Sequence, residues 1–314
     1  MSASQHTTET GIHITGNRVH VFAPAKLNLY LDILGLRDDG YHDIESVMVK
    51  VDWGDAVSLG IGKAPLGSVT LTVPGHPELE TQNNLAVKAV NWFRQRHHFD
   101  EGVHIHITKR IWAGAGLGGG SSDAAAVLRG LAAWSGVRLQ DMGSYTDIAQ
   151  NLGADVPFFV HPGHGIVRGI GDRLESLGFN VNLFAVVLMP KCPANTQEMY
   201  QNWDKSIPKL SGNEISLTHF VDSVKNYVDY NCGLYGLKAK VTNAFLPVVE
   251  RTYPEVHHAF CELSEYTPNV VGLSGSGSAL FVLLEKRYEA ERLAQQINRL
   301  GMFAAVEVVS ILHC

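Results

Sequence analysis

Two kinds of hydrophobic periodicity follow one another along the first half of the chain. Apolar residues between 84 and 97 recur at the spacing of one helix face, whereas those between 103 and 111 alternate with polar residues. These patterns predict a helix followed by a strand. A second helix should begin at Ser121 or Ser122, because a serine hydroxyl can cap the free N–H groups, and continue to about Ser135. Further along, the patterns predict a strand at 183–189, helices at 217–230, 238–263 and 287–299, a strand–loop–strand at 270–284 and a strand near 303–309.

The order of these elements indicates the fold class. The predicted helices are mixed with pairs of strands, and glycine-rich turns connect the strands of a pair. This pattern is typical of an α+β fold rather than a doubly wound parallel sheet. A turn-rich segment at 165–175 precedes the strand at 183–189, and we interpret it as the seam between two domains. We therefore expect a polar, disordered tail at 1–17, a first domain at 18–172 and a second domain at 173–314.

The composition is that of a chain that folds into a packed core. Among its 314 residues, 45% are hydrophobic and 18% are charged, which argues against disorder. No apolar stretch approaches the roughly 20 residues that a membrane-spanning helix requires. Residues 1–17 lack the apolar and basic segments of a secretory signal. We therefore expect a cytoplasmic protein with no membrane partner.

The net charge and the spacing of histidines and cysteines indicate which kinds of partner to expect. The 25 lysines and arginines against 31 acidic residues give a net charge of −6, which disfavours nucleic acid as a partner. The 15 histidines include no set with a third ligand at a convincing spacing, so we expect no structural zinc. Small molecules are the expected partners, and no obligate protein partner is evident. Four cysteines without paired spacing are interpreted as reduced thiols, Cys192, Cys232, Cys261 and Cys314.

A glycine-rich loop lies between the strand at 103–111 and the following helix. Five of the seven residues at 114–120 are glycine, so the backbone can approach a ligand closely and direct several N–H groups at one anion. The helix that follows adds its positive N-terminal end. A flexible turn with a serine cap is the alternative. The candidate phosphate-binding residues are Gly114, Ala115, Gly116, Leu117, Gly118, Gly119, Gly120, Ser121 and Ser122.

Several nucleotide-binding motifs can be compared with this loop. The spacing of Gly114, Gly116 and Gly119 matches the dinucleotide fingerprint, and Asp141 lies near the distance of its ribose-binding acid. No apolar strand ends at Asp141, however. The loop also lacks the lysine of a P-loop, and no protein-kinase motifs are present. A dehydrogenase remains an alternative that NADH fluorescence would test.

Three segments together carry a resemblance to a known superfamily. They are Pro24-Ala-Lys-Leu-Asn28, the loop at 114–122, and Leu273-Ser-Gly-Ser-Gly-Ser-Ala-Leu-Phe281. In this order they resemble the motifs of the galactokinase, homoserine kinase, mevalonate kinase and phosphomevalonate kinase superfamily. Gly35-Leu-Arg-Asp-Asp-Gly-Tyr-His42 and Leu152-Gly-Ala-Asp-Val-Pro157 are similar to the branch that phosphorylates 4-diphosphocytidyl-2-C-methyl-D-erythritol.

The resemblance implies a two-domain kinase with a cleft between an N-terminal ATP-binding domain and a C-terminal, substrate-binding α/β-sandwich domain. It implies transfer of the γ-phosphoryl group of ATP, bound with Mg²⁺, to the 2-hydroxyl group of the methylerythritol, in the non-mevalonate route to isoprenoids. Lys26 and Asp155 match the catalytic residues. Asp155 would accept or orient the hydroxyl proton, and Lys26 would keep this carboxylate ionised. Without the resemblance, Asp155 could equally be a turn residue and Lys26 a solvated strand lysine.

The resemblance also implies which residues contact the two substrates. Asn84 and Leu85 lie where the family meets adenine, although Asn84 could also be a helix cap. Tyr41 and Tyr200 match positions of aromatic rings around cytosine, and His42 could hydrogen-bond to the edge of this base. The expected substrate contacts are Asn28, Tyr41, His42, Thr196, Tyr200, Ser274, Gly275, Ser276 and Gly277.

Some residues and functions are left open by the resemblance. We interpret Asp123 as a first-turn carboxylate that favours the helix dipole and not as a magnesium ligand, so no residue is assigned to a metal. Ala244 stands where many relatives carry an acid. Another small-molecule kinase of the superfamily, such as homoserine or mevalonate kinase, is an alternative function. A nucleotide-binding regulator without catalysis is a second, which the presence of Lys26 and Asp155 argues against.

Overall fold

The computed structural model describes two β-sheets and the helices that cover them, over residues 6–7, 11–62, 64–178, 180–206, 216–230, 234, 237 and 241–313. The first sheet has nine described strands, β1 (His6–Thr7), β2 (Ile12–Thr15), β3 (Arg18–Leu36), β4 (His42–Ile61), β5 (Val69–Thr72), β6 (Val103–Thr108), β7 (Gly165–Gly169), β8 (Arg173–Ser176) and β10 (Thr242–Asn243). The second sheet has the order β11-β12-β9-β13, with β9 (Phe184–Met189), β11 (Val270–Leu273), β12 (Leu280–Leu284) and β13 (Ala305–Ser310). The described helices are α1 (Leu85–His97), α2 (Gly119–Ser135), α3 (Tyr145–Leu152), α4 (Val156–Val160), α5 (Thr196–Asp204), α6 (Leu217–Tyr230), α7 (Leu246–Thr252), α8 (Pro254–Tyr266) and α9 (Arg287–Leu300).

The two sheets are layered between helices. Helices α1 to α4 cover one face of the first sheet, and the core between them is apolar. The opposite face, near the middle of β3 and β4, packs against the second sheet and α6. Helices α8 and α9 cover the far side of the second sheet. This arrangement agrees with the α+β class. None of the described helices is long and apolar enough to cross a bilayer.

Strands β3 and β4 form a long antiparallel pair whose bulges change the direction of its side chains. One register shift lies between Pro24 and Lys26. Before it, Val19 and Val21 face the core under the helices, whereas after it Leu27 faces the second sheet. Between the pairs Pro24–Gly54 and Lys26–Lys50, one residue of β3 stands against three of β4, and the faces of the β3 side chains change across this irregularity. Lys26 therefore points to the face that carries the helices.

The structure corrects several boundaries expected from the sequence. Helix α2 begins at Gly119, with Gly118 and not a serine as its N-cap, and the hydroxyl of Ser122 has no hydrogen-bond partner among the described residues. The helix expected at 238–263 is two helices, α7 and α8, because prolines near each start separate them; residues 238–240 lie outside the described residues. The strand expected at 103–111 ends at Thr108.

Other differences concern the ends of the proposed domains. The segment at 165–175 forms part of the first sheet, because β7 pairs with β4 and β8 pairs with β7. The expected disordered tail contains β2, which pairs with β3; residues 1–5 and 8–10 lie outside the described residues. Cys192 and Cys261 are free thiols, while Cys232 and Cys314 lie outside the described residues. The domain limits stay a prediction.

A buried histidine ties the last residues of the chain to β4. The Nδ1 atom of His164 accepts a hydrogen bond from the backbone N–H of Lys50 at 3.1 Å. Its Nε2 atom donates to the carbonyl oxygen of Leu312 at 2.6 Å. Burial lowers the pKa of His164 to about 4, so this ring is neutral and can both accept and donate.

We predict that protonation of His164 destabilises the fold below neutral pH. The pKa of His164 in the folded protein is lower than its ordinary value of 6.5. The contribution of this residue to the free energy of unfolding is therefore complete above pH 6.5 and is lost as pH falls towards 4. Between pH 6.5 and 4 the free energy of unfolding should fall with decreasing pH in both proteins. The slope should be steeper in the wild type than in His164→Asn by up to about 1 kcal/mol per pH unit. Urea titrations at several pH values measure the two slopes, and equal slopes would contradict the assignment.

Candidate active site

The glycine-rich loop connects β6 to α2 in a conformation that requires glycine. Gly114, Gly116 and Gly118 have φ values of 65°, 74° and 75°. These values lie in the left-handed region, which other residues adopt only with strain. Gly118 is the N-cap of α2, so the free N–H groups and the positive dipole end of a 17-residue helix face the loop.

Two distant segments hold this loop in place. The backbone N–H of Lys26 on β3 donates to the carbonyl oxygen of Leu117 at 3.0 Å. From the turn between β11 and β12, the hydroxyl of Ser274 donates to the carbonyl oxygen of Gly116 at 3.1 Å. The N–H of Ala279 donates to the carbonyl oxygen of Ala115 at 3.1 Å. These bonds satisfy the carbonyl groups of Ala115, Gly116 and Leu117.

A cavity of about 530 Å³ lies beside the loop and brings most of the expected site residues together. Its wall includes the loop from Gly114 to Ser121. Ser122 is buried and is not part of this wall, nor are Tyr41, His42, Ser274 and Gly277. The other expected residues in the wall are Lys26, Asn28, Asn84, Leu85, Asp155, Thr196, Tyr200, Gly275 and Ser276.

Lys26 and Asp155 form an ion pair at this cavity. The Nζ atom of Lys26 lies 3.8 Å from the Oδ2 atom of Asp155. Asp155 is the residue just before α4. Lys26 is only 3% exposed and also donates to Oδ1 of Asn28. Burial lowers the pKa of Lys26, while the charge of Asp155 opposes this shift. The side chain of Asp155 makes no helix-cap hydrogen bond, so its carboxylate is directed to the cavity and not to α4.

Asn28 is itself held by a chain of hydrogen bonds. Its Nδ2 atom donates to the hydroxyl of Ser46 on the neighbouring strand β4 at 2.8 Å. That hydroxyl donates in turn to the carbonyl oxygen of Tyr30 at 2.6 Å. The amide oxygen of Asn28 therefore faces Lys26, because its nitrogen is already bound on the other side.

The residues expected around a cytosine base are only partly assembled. Tyr200 lies in the cavity wall and its ring stacks on His42, with centroids 4.7 Å apart. Phe245 meets the same tyrosine edge-on at 4.9 Å. Burial and the charge of Asp155 raise the pKa of Tyr200. Tyr41 is 50% exposed and lies outside the cavity wall.

Of the two roles considered for Asn84, the structure shows the helix cap, and contact with adenine stays a prediction. The Oδ1 atom of Asn84 accepts a hydrogen bond from the N–H of Ala86 at 2.9 Å, so Asn84 is the N-cap of α1. Its Nδ2 atom donates to the carbonyl oxygen of Leu79 at 3.0 Å. Asn84 and Leu85 also line the cavity.

The turn at 274–277 is fixed from two sides. The hydroxyl groups of Ser276 and Thr196 lie 2.9 Å apart and form a hydrogen bond. The Nδ2 atom of Asn243 donates to the carbonyl oxygens of Leu273 and Gly275, each at 2.8 Å. This turn therefore joins α5, β10 and the glycine-rich loop.

A buried charged cluster next to the loop was not expected from the sequence. The Nζ atom of Lys109 pairs with Asp55 on β4 and, at 2.8 Å, with Oδ2 of Asp123 on α2. Asp123 is therefore not a first-turn carboxylate, since α2 begins earlier than expected and the ion pair with Lys109 engages its Oδ2 atom. Burial raises the pKa of Asp123 to about 7, although Lys109 lowers it. An aspartate inside the apolar strand β4 was the sequence signal for this cluster.

Comparison with known proteins gives the family. The N-terminal domain of the GHMP kinases matches residues 84–163, and their C-terminal domain matches residues 223–301. A 4-diphosphocytidyl-2-C-methyl-D-erythritol kinase from Geobacter sp. (strain M21) is 34% identical over 289 residues, which are 92% of this chain and 98% of the relative. The chain belongs to the 4-diphosphocytidyl-2-C-methyl-D-erythritol kinase family.

Other members of this family and of the wider fold give a consistent picture. A relative of the same name from Anaeromyxobacter sp. (strain K) is 48% identical over 158 residues, and there the chain spans about half (50%) of the relative's length. A crystal structure of a 4-(cytidine 5'-diphospho)-2C-methyl-D-erythritol kinase has a TM-score of 0.75 and 28% identity over 94% of this chain and 100% of that chain. Homoserine kinase from Cytophaga hutchinsonii, at 16% identity and a TM-score of 0.68 over 98% of each chain, shares the fold.

We predict that Gly116→Ala abolishes ATP binding to this member of the kinase family. A Cβ atom at Gly116 would lie 2.1 Å from the carbonyl oxygen of Ser274 and would force the loop away from the turn. Gly136→Ala is the matched control, because Gly136 has a similar φ of 70° but nothing within 4 Å of a Cβ atom. Calorimetric titration with ATP should detect no binding to the first variant and near wild-type binding to the second. Equal affinities would contradict the assignment of the loop.

Proposed function

We propose that this chain transfers the γ-phosphoryl group of ATP to the 2-hydroxyl group of 4-diphosphocytidyl-2-C-methyl-D-erythritol, giving the 2-phosphate and ADP. The observation that carries the proposal is one cavity lined by a phosphate-type glycine loop and by the Lys26–Asp155 pair. Family membership supports the choice of the two substrates. Phosphoryl transfer requires mostly alignment and neutralisation of charge, and both requirements have candidates in this wall.

The glycine-rich loop is the proposed site of the triphosphate. Its N–H groups are free of the bonds that hold its carbonyl groups, and the N-terminus of α2 adds a positive potential. The hydroxyl of Ser121 lies in the same wall and can donate to a phosphate oxygen. Adenine would then lie beside Asn84 and Leu85, which line the same cavity.

Asp155 and Lys26 are the proposed catalytic residues. The carboxylate of Asp155 accepts the proton of the substrate hydroxyl as the oxygen attacks the γ-phosphorus and the bond to ADP breaks. The ammonium group of Lys26 lies within ion-pair distance of this carboxylate and offsets its negative charge. The same ammonium can attract the developing negative charge on the attacking oxygen. Asn28 keeps Lys26 in this position through its amide oxygen.

Oxygen atoms that fit a magnesium ion are present near the phosphate loop. Mg²⁺ is usually bound by one or two carboxylates together with substrate phosphates and water. The Oδ1 atom of Asp123 and the hydroxyl of Ser122 are buried without a hydrogen-bond partner among the described residues, and Asp123 lies in the cavity wall. These two oxygen atoms without partners favour Asp123 as a magnesium ligand, contrary to our interpretation of the sequence. When bound, Mg²⁺ supplies neutralisation of the phosphate charge.

The cytidine end of the substrate is proposed to lie towards α5. Tyr200 and Thr196 on this helix line the cavity, and Ser276 and Gly275 face them from the turn. Tyr41 is exposed and can cover a base from the solvent side. The cytoplasmic location and the absence of a protein partner stay predictions from the sequence.

We predict that Asp155→Asn and Lys26→Met each lower kcat by roughly 100-fold or more, because both groups act on the reacting hydroxyl. The dissociation constant of ATP should change little. The controls are Asp222→Asn and Lys225→Met, which change exposed residues of α6 in the same way. Coupled ADP release measures kcat, and calorimetry measures ATP affinity. Full turnover in either active-site variant would show that the catalytic centre lies elsewhere.

The acceptor is identified with the same ADP-release assay. Diphosphocytidyl-methylerythritol, homoserine, mevalonate and galactose are compared as acceptors, and the first should give by far the highest kcat/KM. A preference for homoserine or mevalonate would place the chain's activity in another branch of the superfamily.

We also predict that Tyr41→Ala raises KM for the cytidine substrate much more than KM for ATP. Loss of a stacked ring costs about 1–3 kcal/mol per base, which corresponds to roughly 5- to 150-fold in affinity. Initial-rate kinetics with each substrate varied in turn measure both constants. Equal increases in the two KM values would remove Tyr41 from the base-binding site.

A further inference from the structure

A hydrogen bond between two distant parts of the chain holds the ring of His42. His42 is the first residue of β4, and Asp204 is the last residue of α5. The Nε2 atom of His42 lies 2.7 Å from Oδ1 of Asp204, and only 9% of the histidine side chain is exposed. This distance is typical of a hydrogen bond to a charged acceptor, so the carboxylate engages one particular ring nitrogen.

Two aromatic rings fix the plane of the same imidazole. Tyr200 stacks on it at 4.7 Å between centroids, and Trp203 meets it edge-on at 5.6 Å. Tyr200 also belongs to the wall of the cavity that contains Lys26 and Asp155. The imidazole is therefore held in one orientation, a single aromatic ring away from the proposed catalytic pair.

We propose that Asp204 makes the enzyme selective for a cytosine base over a uracil base by selecting the tautomer of His42. An ionised carboxylate only accepts hydrogen bonds, so a neutral imidazole must carry its proton on Nε2 to pair with it. The other ring nitrogen, Nδ1, is then a hydrogen-bond acceptor. A carboxylate that fixes the tautomer of a functional histidine in this way is a common supporting device in protein sites.

The two pyrimidines differ at the group that such an acceptor recognises. Cytosine carries an amino donor at C4, whereas uracil carries a carbonyl acceptor there. An acceptor at Nδ1 pairs with the amino group but faces a second lone pair in uracil, and an unpaired polar group in a buried site is costly. The inference rests on the proposed function, which supplies a cytidine nucleotide as the substrate. Asp204 acts through His42 and is therefore a positioning residue.

The test compares two substrates in three forms of the full chain. The substrates are diphosphocytidyl-methylerythritol and its analogue with uracil in place of cytosine, and the variants are Asp204→Asn and Asp204→Ala. The wild type should prefer cytosine by at least about 10-fold in kcat/KM. In Asp204→Asn the amide can donate to Nε2, which moves the ring proton to Nδ1, so the preference should fall to one or below. The change should appear in KM for the cytidine substrate, with kcat and KM for ATP close to wild type.

A second measurement reads the tautomer without using activity. Nitrogen-15 NMR of the His42 ring should show Nδ1 without a proton in the wild type and with a proton in Asp204→Asn. Asp204→Ala should give a mixture of tautomers and an intermediate base preference. Asp222→Asn, which changes an exposed aspartate on α6, is the control and should match the wild type in both measurements.

The outcomes separate this inference from the proposed function. An active enzyme whose base preference is unchanged in Asp204→Asn overturns the role of Asp204, as does a wild-type ring protonated on Nδ1. A wild type that phosphorylates another acceptor but not the cytidine substrate overturns the proposed function, and the selectivity for cytosine falls with it.

Discussion

The contact between the glycine-rich loop and the turn at 274–277 is the constraint on which the rest of the site depends. The carbonyl oxygen of Gly116 accepts the hydroxyl hydrogen of Ser274, and the two backbones approach so closely that no Cβ atom fits between them. Because these carbonyl groups are bound, the N–H groups of the loop are directed to the opposite side. The proposed site for a polyphosphate therefore depends on contacts made behind the loop.

The partners of Lys26 explain why a lysine can be buried beside the loop. Transfer of an isolated ammonium group from water into the protein interior is strongly unfavourable unless it is paired and hydrogen-bonded. Lys26 meets both conditions, since Asp155 lies at 3.8 Å and the amide oxygen of Asn28 accepts a hydrogen bond. The hydrogen bond from Ser46 to Tyr30 fixes the asparagine in turn. Electrostatic preorganisation of the proposed catalytic pair thus follows from the pairing of β3 with β4.

The cavity combines parts that are far apart in the chain. Lys26 comes from β3, Asp155 from the start of α4, and Tyr200 from α5. The irregular pairing after Pro24 is essential to this assembly, because the side-chain faces of β3 change across it, so that Lys26 points towards the helices while Leu27 packs on the second sheet. Without this irregularity the alternation along β3 would place Lys26 in the apolar layer between the sheets. The proposed specificity device, His42 with Asp204, likewise joins β4 to α5.

Local patterns in the sequence determined the α+β class, helices α1 and α6 and the glycine-rich loop, because periodicity and backbone freedom are properties of neighbouring residues. The residue types of a phosphotransferase were identified only through the resemblance of whole motifs to a known superfamily. Local patterns did not determine the lengths of β3 and β4, the start of α2 or the division between α7 and α8, since bulges, glycine caps and prolines act through pairing and packing. The burial of Asp123 with Lys109 and the pairing of His42 with Asp204 were decided only by the tertiary structure. The physical reason is that a buried charged group is stable only with a partner within hydrogen-bond distance, and the fold determines which residue that is. No local spacing in the sequence encodes that partner.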